Sequence, residues 1–239
     1  MTATRTEIAI IGAGIIGNSI AYHLARLGRQ VLVIERGEVA SEPAASWASA
    51  GGVRRQGRHP AEALLAIEAN RRWQTLSEEL EADIGYRRGG PLLLAENEQE
   101  ARYLEEFVKQ QHAMGFSDVQ LVEGREAHEI APGLNQQVIA GSYSPGDGQA
   151  NPPATTRAFA QAALRAGATY WTGTAALALI ARGEHVTGVA TERGDVEAEH
   201  VVLAAGAWSD ELAPGMGLRL PIRTLALQML LSTPAQEVT

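Results

Sequence analysis

A glycine-rich turn near the amino terminus has the residue types needed to bind phosphate groups. Gly12, Gly14 and Gly17 follow the apolar residues 8–11 with the spacing GxGxxG. Gly12 permits a tight turn, Gly14 lets a phosphate approach the backbone, and Gly17 allows a helix to pack closely. A helix that begins at such a turn offers unpaired amide hydrogens and a partial positive charge to an anion. The turn therefore predicts a phosphate site.

An acidic residue lies where a ribose-binding residue is expected. Residues 31–34 form a second apolar run, and Glu35 follows it, 23 positions after Gly12. Strand, helix and strand in this order make one right-handed parallel crossover, and the acid can accept hydrogen bonds from ribose hydroxyls. A carboxylate there repels a 2′-phosphate, which disfavours NADP. The segment is predicted to bind an adenine dinucleotide, and the motif alone leaves FAD and NAD open.

Composition and charge exclude several classes of protein. The 239 residues are 45% hydrophobic and 20% charged, which supports a packed core and excludes a disordered chain. The net charge of −8 argues against binding to nucleic acid or anionic membranes. Cysteine is absent and the six histidines lack ligand spacing, so neither disulfide-reductase chemistry nor a metal site is predicted. With no apolar run of about 18 residues and no secretory leader, we expect a cytoplasmic protein without a transmembrane segment.

The elements after Glu35 differ from those of an NAD dehydrogenase, which continues with alternating strands and helices. Instead, a small-residue loop over 40–52 precedes an amphipathic helix predicted over 60–83. The chain returns to a buried strand at 201–203, and a last strand is predicted over 222–231. Between these, the pattern predicts helices over 96–112 and 151–167 and strands over 92–94, 119–122 and 138–143.

Three segments, in order, resemble the FAD-dependent amine and amino-acid oxidases related to D-amino acid oxidase, glycine oxidase and sarcosine oxidase. The first is the amino-terminal turn with Glu35 and Arg36. The second, residues 45–52 (ASWASAGG), is similar to the loop under the flavin in glycine oxidase-like proteins. The third, residues 201–209 (VVLAAGAWS), is similar to the second FAD-contacting strand of that family. The resemblance covers essentially the whole chain.

The resemblance implies an α/β fold with an FAD-binding Rossmann-like parallel sheet and an antiparallel-sheet α+β substrate domain, discontinuous in sequence. The FAD-binding domain is expected at residues 1–85 and 146–212, and an incomplete substrate domain at 86–145 and 213–239. Relatives continue further, so the C-terminal part of the fold is expected to be absent from this chain. A second chain or a missing C-terminal segment then completes the fold. The 239 residues alone are expected to bind FAD poorly or not at all, without turnover.

The expected FAD site combines the resemblance with the small side chains of the three segments. Small residues let a cofactor pass close to the main chain, and Ser46 or Ser49 can donate to pyrophosphate or ribityl hydroxyls. For Trp208, covering the cofactor and filling the core are both open. Ala176 is carried over from a family strand on the adenine side. The expected cofactor-binding residues are Gly12, Ala13, Gly14, Ile15, Ile16, Gly17, Glu35, Arg36, Ala45, Ser46, Ser49, Ala50, Gly51, Gly52, Ala176, Ala205, Gly206 and Trp208.

The chemistry implied is oxidation of a C–N bond beside a carboxylate. Hydride passes to the flavin N5 and gives an imine, which hydrolyses to an oxo acid, with reoxidation by O2 or another acceptor. The implied substrates are amines of the sarcosine, iminodiacetate, glycine or proline type. Arg54 and Arg55 follow the flavin loop and are the candidate cations for the substrate carboxylate. The exact substrate and the electron acceptor are open.

The sequence is also compatible with three alternative functions. One is FAD-dependent oxidation of a 2-hydroxy acid or glycerol phosphate, which bleaching of the flavin absorption by different substrates distinguishes. Another is a non-catalytic FAD-binding subunit of a heteromeric dehydrogenase, which gains activity only with its partner. The third is an NAD dehydrogenase, which would show no flavin absorption.

Overall fold

The computed structural model of the chain describes residues 4–226. The strands in this range are β1 (Thr4–Ile11), β2 (Val31–Ile34), β3 (Gly52–Val53), β4 (Arg87–Arg88), β5 (Leu92–Ala95), β6 (Gln120–Glu123), β7 (Ala140–Tyr143), β8 (Gly148–Gln149), β9 (Thr169–Trp171), β10 (Ala176–Arg182), β11 (His185–Thr191) and β12 (Val196–Leu203). The helices are α1 (Ile15–Arg26), α2 (Ala45–Ala48), α3 (Ala63–Trp73), α4 (Leu76–Leu80), α5 (Glu98–Ala113), α6 (Gly124–Ile130), α7 (Pro152–Arg165) and α8 (Ser209–Leu212).

The chain divides into two compact units, each discontinuous in sequence. Within the described range, the first unit contains residues 4–50, 80–84 and 151–226. The second unit contains residues 51–79 and 85–150. No helix within residues 4–226 combines the length and the apolar character that a bilayer crossing requires.

The first unit is built on a six-stranded sheet with the order β10-β11-β12-β1-β2-β9. Strands β12, β1, β2 and β9 are parallel, and β11 runs antiparallel to β12 and β10. Ile10 pairs with Val33 on one side and Val202 on the other. Ile10 and Val33 are fully buried, so the branched apolar runs form the central strands of the sheet.

Helix α1 packs closely against the end of β1 because its first turn contains a glycine. A Cβ atom at Gly17 would lie 1.9 Å from the carbonyl oxygen of Gly12. The same face of α1 buries Ala21 and Ala25, and helix α7 lies beside it. Small residues on this face therefore set the distance between the helix and the turn that precedes it.

The second unit contains two antiparallel sheets. One has the order β5-β7-β6 and the other the order β3-β8-β4. Helix α5 packs on the first of these sheets, and α6 contacts β6 and β7. Together with the parallel sheet of the first unit, these elements confirm the predicted fold class: a Rossmann-like α/β sheet and an antiparallel α+β part.

A buried carboxylate anchors the segment that follows β3. Asp147 is fully buried, and its Oδ1 accepts hydrogen bonds from the Arg55 amide (3.0 Å) and Nε (2.9 Å). Its Oδ2 accepts from the Gln56 amide at 3.0 Å, and Arg55 Nη2 donates to Asp118 Oδ2 at 2.7 Å. Burial alone would lower the pKa of Arg55, but the two carboxylates outweigh burial and raise it. Arg55 thus stays charged and holds this segment in place.

Buried amide side chains hold the next residues of the same segment. Ser142 Oγ donates to Gln56 Oε1 at 2.7 Å, and both side chains are buried. The Gly57 amide donates to Gln111 Oε1 at 2.9 Å, and Gln111 is also buried. Residues 55–57 are therefore fixed at several points, directly after Arg54.

The amphipathic pattern over residues 60–83 does not form one helix. After a 3-10 turn at Pro60–Glu62, helix α3 ends at Trp73 and α4 begins at Leu76. The Gln74 and Thr75 amides donate to carbonyls three residues earlier, and the Thr75 carbonyl accepts from Glu79 as a new helix start. The prediction of a continuous helix was therefore wrong. The helical spacing of apolar residues continues across positions 74–75, and this spacing does not reveal the change in backbone hydrogen bonding there.

The strand predicted over residues 222–231 is not formed in its first five residues. Residues 222–226 adopt no regular secondary structure, and the rest of the predicted strand, 227–231, lies outside the described residues. The expected domain boundaries stay a prediction. The two compact units divide the chain at other places, with residues 51–79 and 146–150 in the second unit and residues 213–226 in the first. An apolar run indicates that a segment is buried, but it does not indicate which unit the segment packs in.

We expect Gly17→Ala to destabilise the first unit. The added methyl group meets a backbone carbonyl, so α1 must shift at a cost of about 2 kcal/mol, more than the gain from replacing a helical glycine. Urea unfolding of the variant measures this loss. Gly215→Ala is the matched control, because no atom lies within 4 Å of its added Cβ. Equal stability of the Gly17 variant and the parent would contradict the packing described.

Asp118→Asn tests the ion pairs around Arg55 through pH. Burial would raise the pKa of Asp118, but the hydrogen bond and charge of Arg55 prevail and lower it. A carboxyl with a lowered folded pKa stabilises the fold above its unfolded pKa and loses this effect as pH falls through the folded value. The stability difference between parent and variant should therefore be constant from pH 5 to 7 and shrink below about pH 4.

Urea unfolding over a pH series provides this measurement. Glu98→Gln is the control, because the Glu98 carboxylate is exposed beside Arg102 and such surface pairs contribute little. A difference that grows on acidification would show that the Asp118 contact has the opposite sign.

Candidate functional site

The first and third sequence segments meet at the turn between β1 and α1. Gly12 has a φ of 103°, and a Cβ atom there would lie 2.5 Å from the Ala204 carbonyl oxygen. The Ala204 amide donates to the Ile11 carbonyl at 2.9 Å, which extends the pairing of β12 with β1. A glycine is therefore required at the turn for two reasons, its backbone conformation and the close approach of Ala204.

The second segment reaches the same turn through α2. Ser46 Oγ accepts a hydrogen bond from the Ile15 amide at 2.9 Å, at the first residue of α1. A Cβ atom at Gly14 would lie 3.2 Å from this hydroxyl, so a side chain there would crowd it. Three segments that are distant in the sequence thus converge on one glycine-rich turn.

Glu35 lies at the end of β2 and is held against the turn. Its Oε2 accepts from the Ala13 amide at 2.7 Å and its Oε1 accepts from the Gly37 amide at 2.9 Å. Each carboxylate oxygen can accept more than one hydrogen bond, so both can still accept from a hydroxyl group. The predicted acid therefore lies beside the predicted phosphate-binding turn.

Trp208 stacks on an arginine instead of filling the core. The Arg36 guanidinium carbon lies 3.9 Å from the centre of the Trp208 ring, which is the geometry of a cation–π contact. Trp208 is half-buried in the 3-10 turn Gly206–Trp208, with Ala205 directly before it. Arg36, Ala205, Gly206 and Trp208 therefore lie together after the ends of strands β2 and β12.

The remaining predicted cofactor residues are divided between the two units. Ala45 begins α2, with Ser49 and Ala50 after it, and Ile16 is exposed in the first turn of α1. Ala176 begins β10, opposite Thr191. Gly51 and Gly52 belong to the second unit, where Gly51 accepts from the Ala150 amide at 2.9 Å and Gly52 pairs with Gln149.

A buried polar side chain that the sequence pattern did not predict lies next to the turn. Asn18 is fully buried in α1, and its Nδ2 donates to the Ala13 carbonyl at 2.7 Å. Tyr170 Oη donates to Asn18 Oδ1 at 2.8 Å. The available signal was an amide side chain on the face of α1 that also carries Gly17, Ala21 and Ala25, where an apolar residue is expected.

The two arginine candidates differ in what they contact. Arg55 already pairs with two carboxylates and is largely buried. Arg54 is exposed, and its Nη1 donates to the Gln56 carbonyl at 3.1 Å. Arg54 also lines a cavity of about 400 Å³ in the second unit, together with Arg58 and apolar residues of α3 that include Trp73. Of the two, Arg54 is the exposed residue, and it lines this cavity.

The turn in the first unit has the properties of a diphosphate site. The first intrahelical hydrogen bond of α1 runs from the Asn18 amide to the Gly14 carbonyl, so the Ile16 and Gly17 amides have no partner within the helix. The turn has no side chain at Gly12 or Gly14, and the helix dipole favours negative charge. The residues present therefore fit the diphosphate and ribose of an adenine dinucleotide.

Comparison with known proteins identifies related sequences. The family described as FAD dependent oxidoreductase (DAO) matches residues 7–239. Human mitochondrial dimethylglycine dehydrogenase is 31% identical over 240 residues, covering 98% of this chain and 27% of that protein. Glycine oxidase of Bacillus licheniformis is 32% identical over 220 residues, covering 90% of this chain and 58% of that protein.

Solved structures agree with these sequence matches. The crystal structure of L-proline dehydrogenase from P. horikoshii superposes with a TM-score of 0.84 at 29% identity, covering 93% of this chain and 58% of that chain. The chain thus spans between about a quarter and three fifths of the length of these relatives. The predicted cofactor class, FAD, and the predicted family are both confirmed: this chain belongs to the FAD-dependent oxidoreductase family.

Proposed function

We propose that the protein uses FAD to oxidise the C–N bond of a small amino acid or secondary amine to an imine. The observation that carries the proposal is the convergence of Gly12, Ser46 and Ala204 on one turn that fits a diphosphate. The relatives reported above are named for dimethylglycine, glycine and proline, each an amine that carries a carboxylate. These names support the substrate class without identifying one substrate.

The first unit is proposed to hold the adenylate end of FAD. The Gly14, Ile16 and Gly17 amides would donate to the diphosphate, and Glu35 would accept from the ribose hydroxyls. When bound, FAD supplies the acceptor for the hydride that leaves the carbon beside the substrate nitrogen. The protein then has to bind and orient the amine, which requires a cation for its carboxylate.

Arg54 is proposed as that cation. Arg55 is paired with Asp118 and Asp147, whereas Arg54 is exposed and lines the cavity of the second unit. A guanidinium binds a carboxylate through two parallel hydrogen bonds, which fixes the direction of the substrate as well as its affinity. Arg55 and Asp147 then serve to hold the backbone from which Arg54 projects.

The cofactor and the substrate class are tested on protein expressed from its complete reading frame. We expect a yellow protein with the visible absorption bands of oxidised flavin. Anaerobic addition of sarcosine, glycine, iminodiacetate or proline should bleach these bands with at least one amine, because the cofactor accepts the hydride. Bleaching by 2-hydroxy acids or glycerol phosphate, with none by amines, would contradict the proposal. A colourless protein that takes up no FAD would contradict the cofactor assignment as well.

Arg54→Met separates substrate binding from structure. Loss of a charged hydrogen bond to the substrate carboxylate should lower kcat/KM for the amine by about 10- to 100-fold, mostly through KM. Thermal unfolding should change little, because Arg54 is exposed. Arg55→Met is the matched comparison and should mainly lower the unfolding temperature. If Arg54→Met leaves KM unchanged, another residue binds the carboxylate.

A further inference from the structure

The peptide groups on either side of Ala13 are held by two different side chains. Glu35 Oε2 accepts from the Ala13 amide at 2.7 Å, and Asn18 Nδ2 donates to the Ala13 carbonyl at 2.7 Å. Ala13 itself is buried at 2% exposure. The conformation of the turn is therefore fixed by side-chain contacts in addition to its glycines.

The contact with Asn18 determines the direction of the next amide. The peptide bond between Ala13 and Gly14 is planar and trans, so its N–H points opposite to its C=O. Because the Ala13 carbonyl is turned toward the buried Asn18, the Gly14 N–H is directed away from Asn18. Gly14 is the N-cap residue of α1 and has no side chain that could cap the helix.

Tyr170 fixes which way the Asn18 amide faces. Tyr170 lies in β9 and donates from its Oη to Asn18 Oδ1 at 2.8 Å, which leaves Nδ2 for the Ala13 carbonyl. The same Nδ2 lies 3.5 Å from the Thr156 carbonyl of α7. Burial raises the pKa of the Tyr170 hydroxyl, so it remains a donor throughout the physiological range. Strand β9 and helix α7 thus both contribute to the orientation of one side chain.

We propose that Asn18, oriented by Tyr170, is a positioning residue for FAD binding that aims the Gly14 amide at the diphosphate. The inference rests on the proposed function, since it assumes the diphosphate at this turn. According to this proposal, FAD binding requires a fully buried polar side chain next to the turn as well as the glycines of the motif. An apolar residue at position 18 would fill the same volume but leave the turn free to rotate its peptide.

The test compares FAD affinity in apoprotein variants expressed from the complete reading frame, well below their unfolding temperatures. Asn18→Leu conserves size but removes every side-chain hydrogen bond of residue 18, including the one to the Ala13 carbonyl, and we expect its Kd for FAD to rise about tenfold. Tyr170→Phe removes one hydroxyl and keeps the amide, so we expect a smaller rise of about threefold. Flavin fluorescence quenching on titration measures both constants.

Thr191→Val is the control for a purely structural effect. Thr191 is a buried hydroxyl of the same unit that donates to the Gly194 carbonyl at 2.6 Å, at the turn after β11. We expect this variant to lose thermal stability while its Kd for FAD stays within twofold of the parent. A rise in Kd equal to that of Asn18→Leu would overturn the positioning role.

The remaining outcomes distinguish the two proposals. If the parent protein takes up no FAD, the proposed function is wrong. If the parent binds FAD and Asn18→Leu binds it equally well, the positioning role is wrong while the proposed function stands. If Asn18→Leu is not recovered folded, Tyr170→Phe decides, and an unchanged Kd in that variant overturns the inference.

Discussion

The close approach of helix α1 to the end of strand β1 is the constraint on which the first unit depends. The Gly12 carbonyl oxygen lies where a Cβ atom of residue 17 would be, so only glycine at position 17 lets the helix start there. Gly12 is required for other reasons, its φ of 103° and the close approach of the Ala204 carbonyl. The approach of α1 to β1 places the unpaired amides of α1 at the carboxyl edge of the parallel sheet, where ligands of such folds bind. Ala204, Ser46 and Glu35 then close around the turn from three other parts of the chain.

In the second unit, buried polar side chains hold the short segment 55–57 in place. Asp147 receives three hydrogen bonds from Arg55 and Gln56, and removing one partner of a buried charge pair is costly. The two neighbouring arginines therefore have different surroundings, one buried and paired, the other exposed at a cavity. Adjacent identical residues can serve separate purposes when the backbone between them is fixed.

Much of the first unit could be predicted from residue types. The run at 8–11, the glycine spacing and Glu35 follow rules that act over a few residues, and the structure shows the strand, turn and helix they predict. The break at Gln74 and the roles of Asn18 and Asp147 could not be predicted. Asn18 and Asp147 have partners more than 50 residues away in the sequence. The break at Gln74 is a change in backbone hydrogen bonding, which the spacing of apolar residues does not reveal.

The most direct measurement is an NMR titration of the ¹⁵N-labelled protein with ADP. The central claim is that the diphosphate binds at the turn that begins α1. It predicts that the largest amide shift changes occur at residues 12–17, with smaller ones at Glu35, Ser46 and 204–206. Saturable changes confined to other residues, or none at these positions while FAD binds, would contradict it.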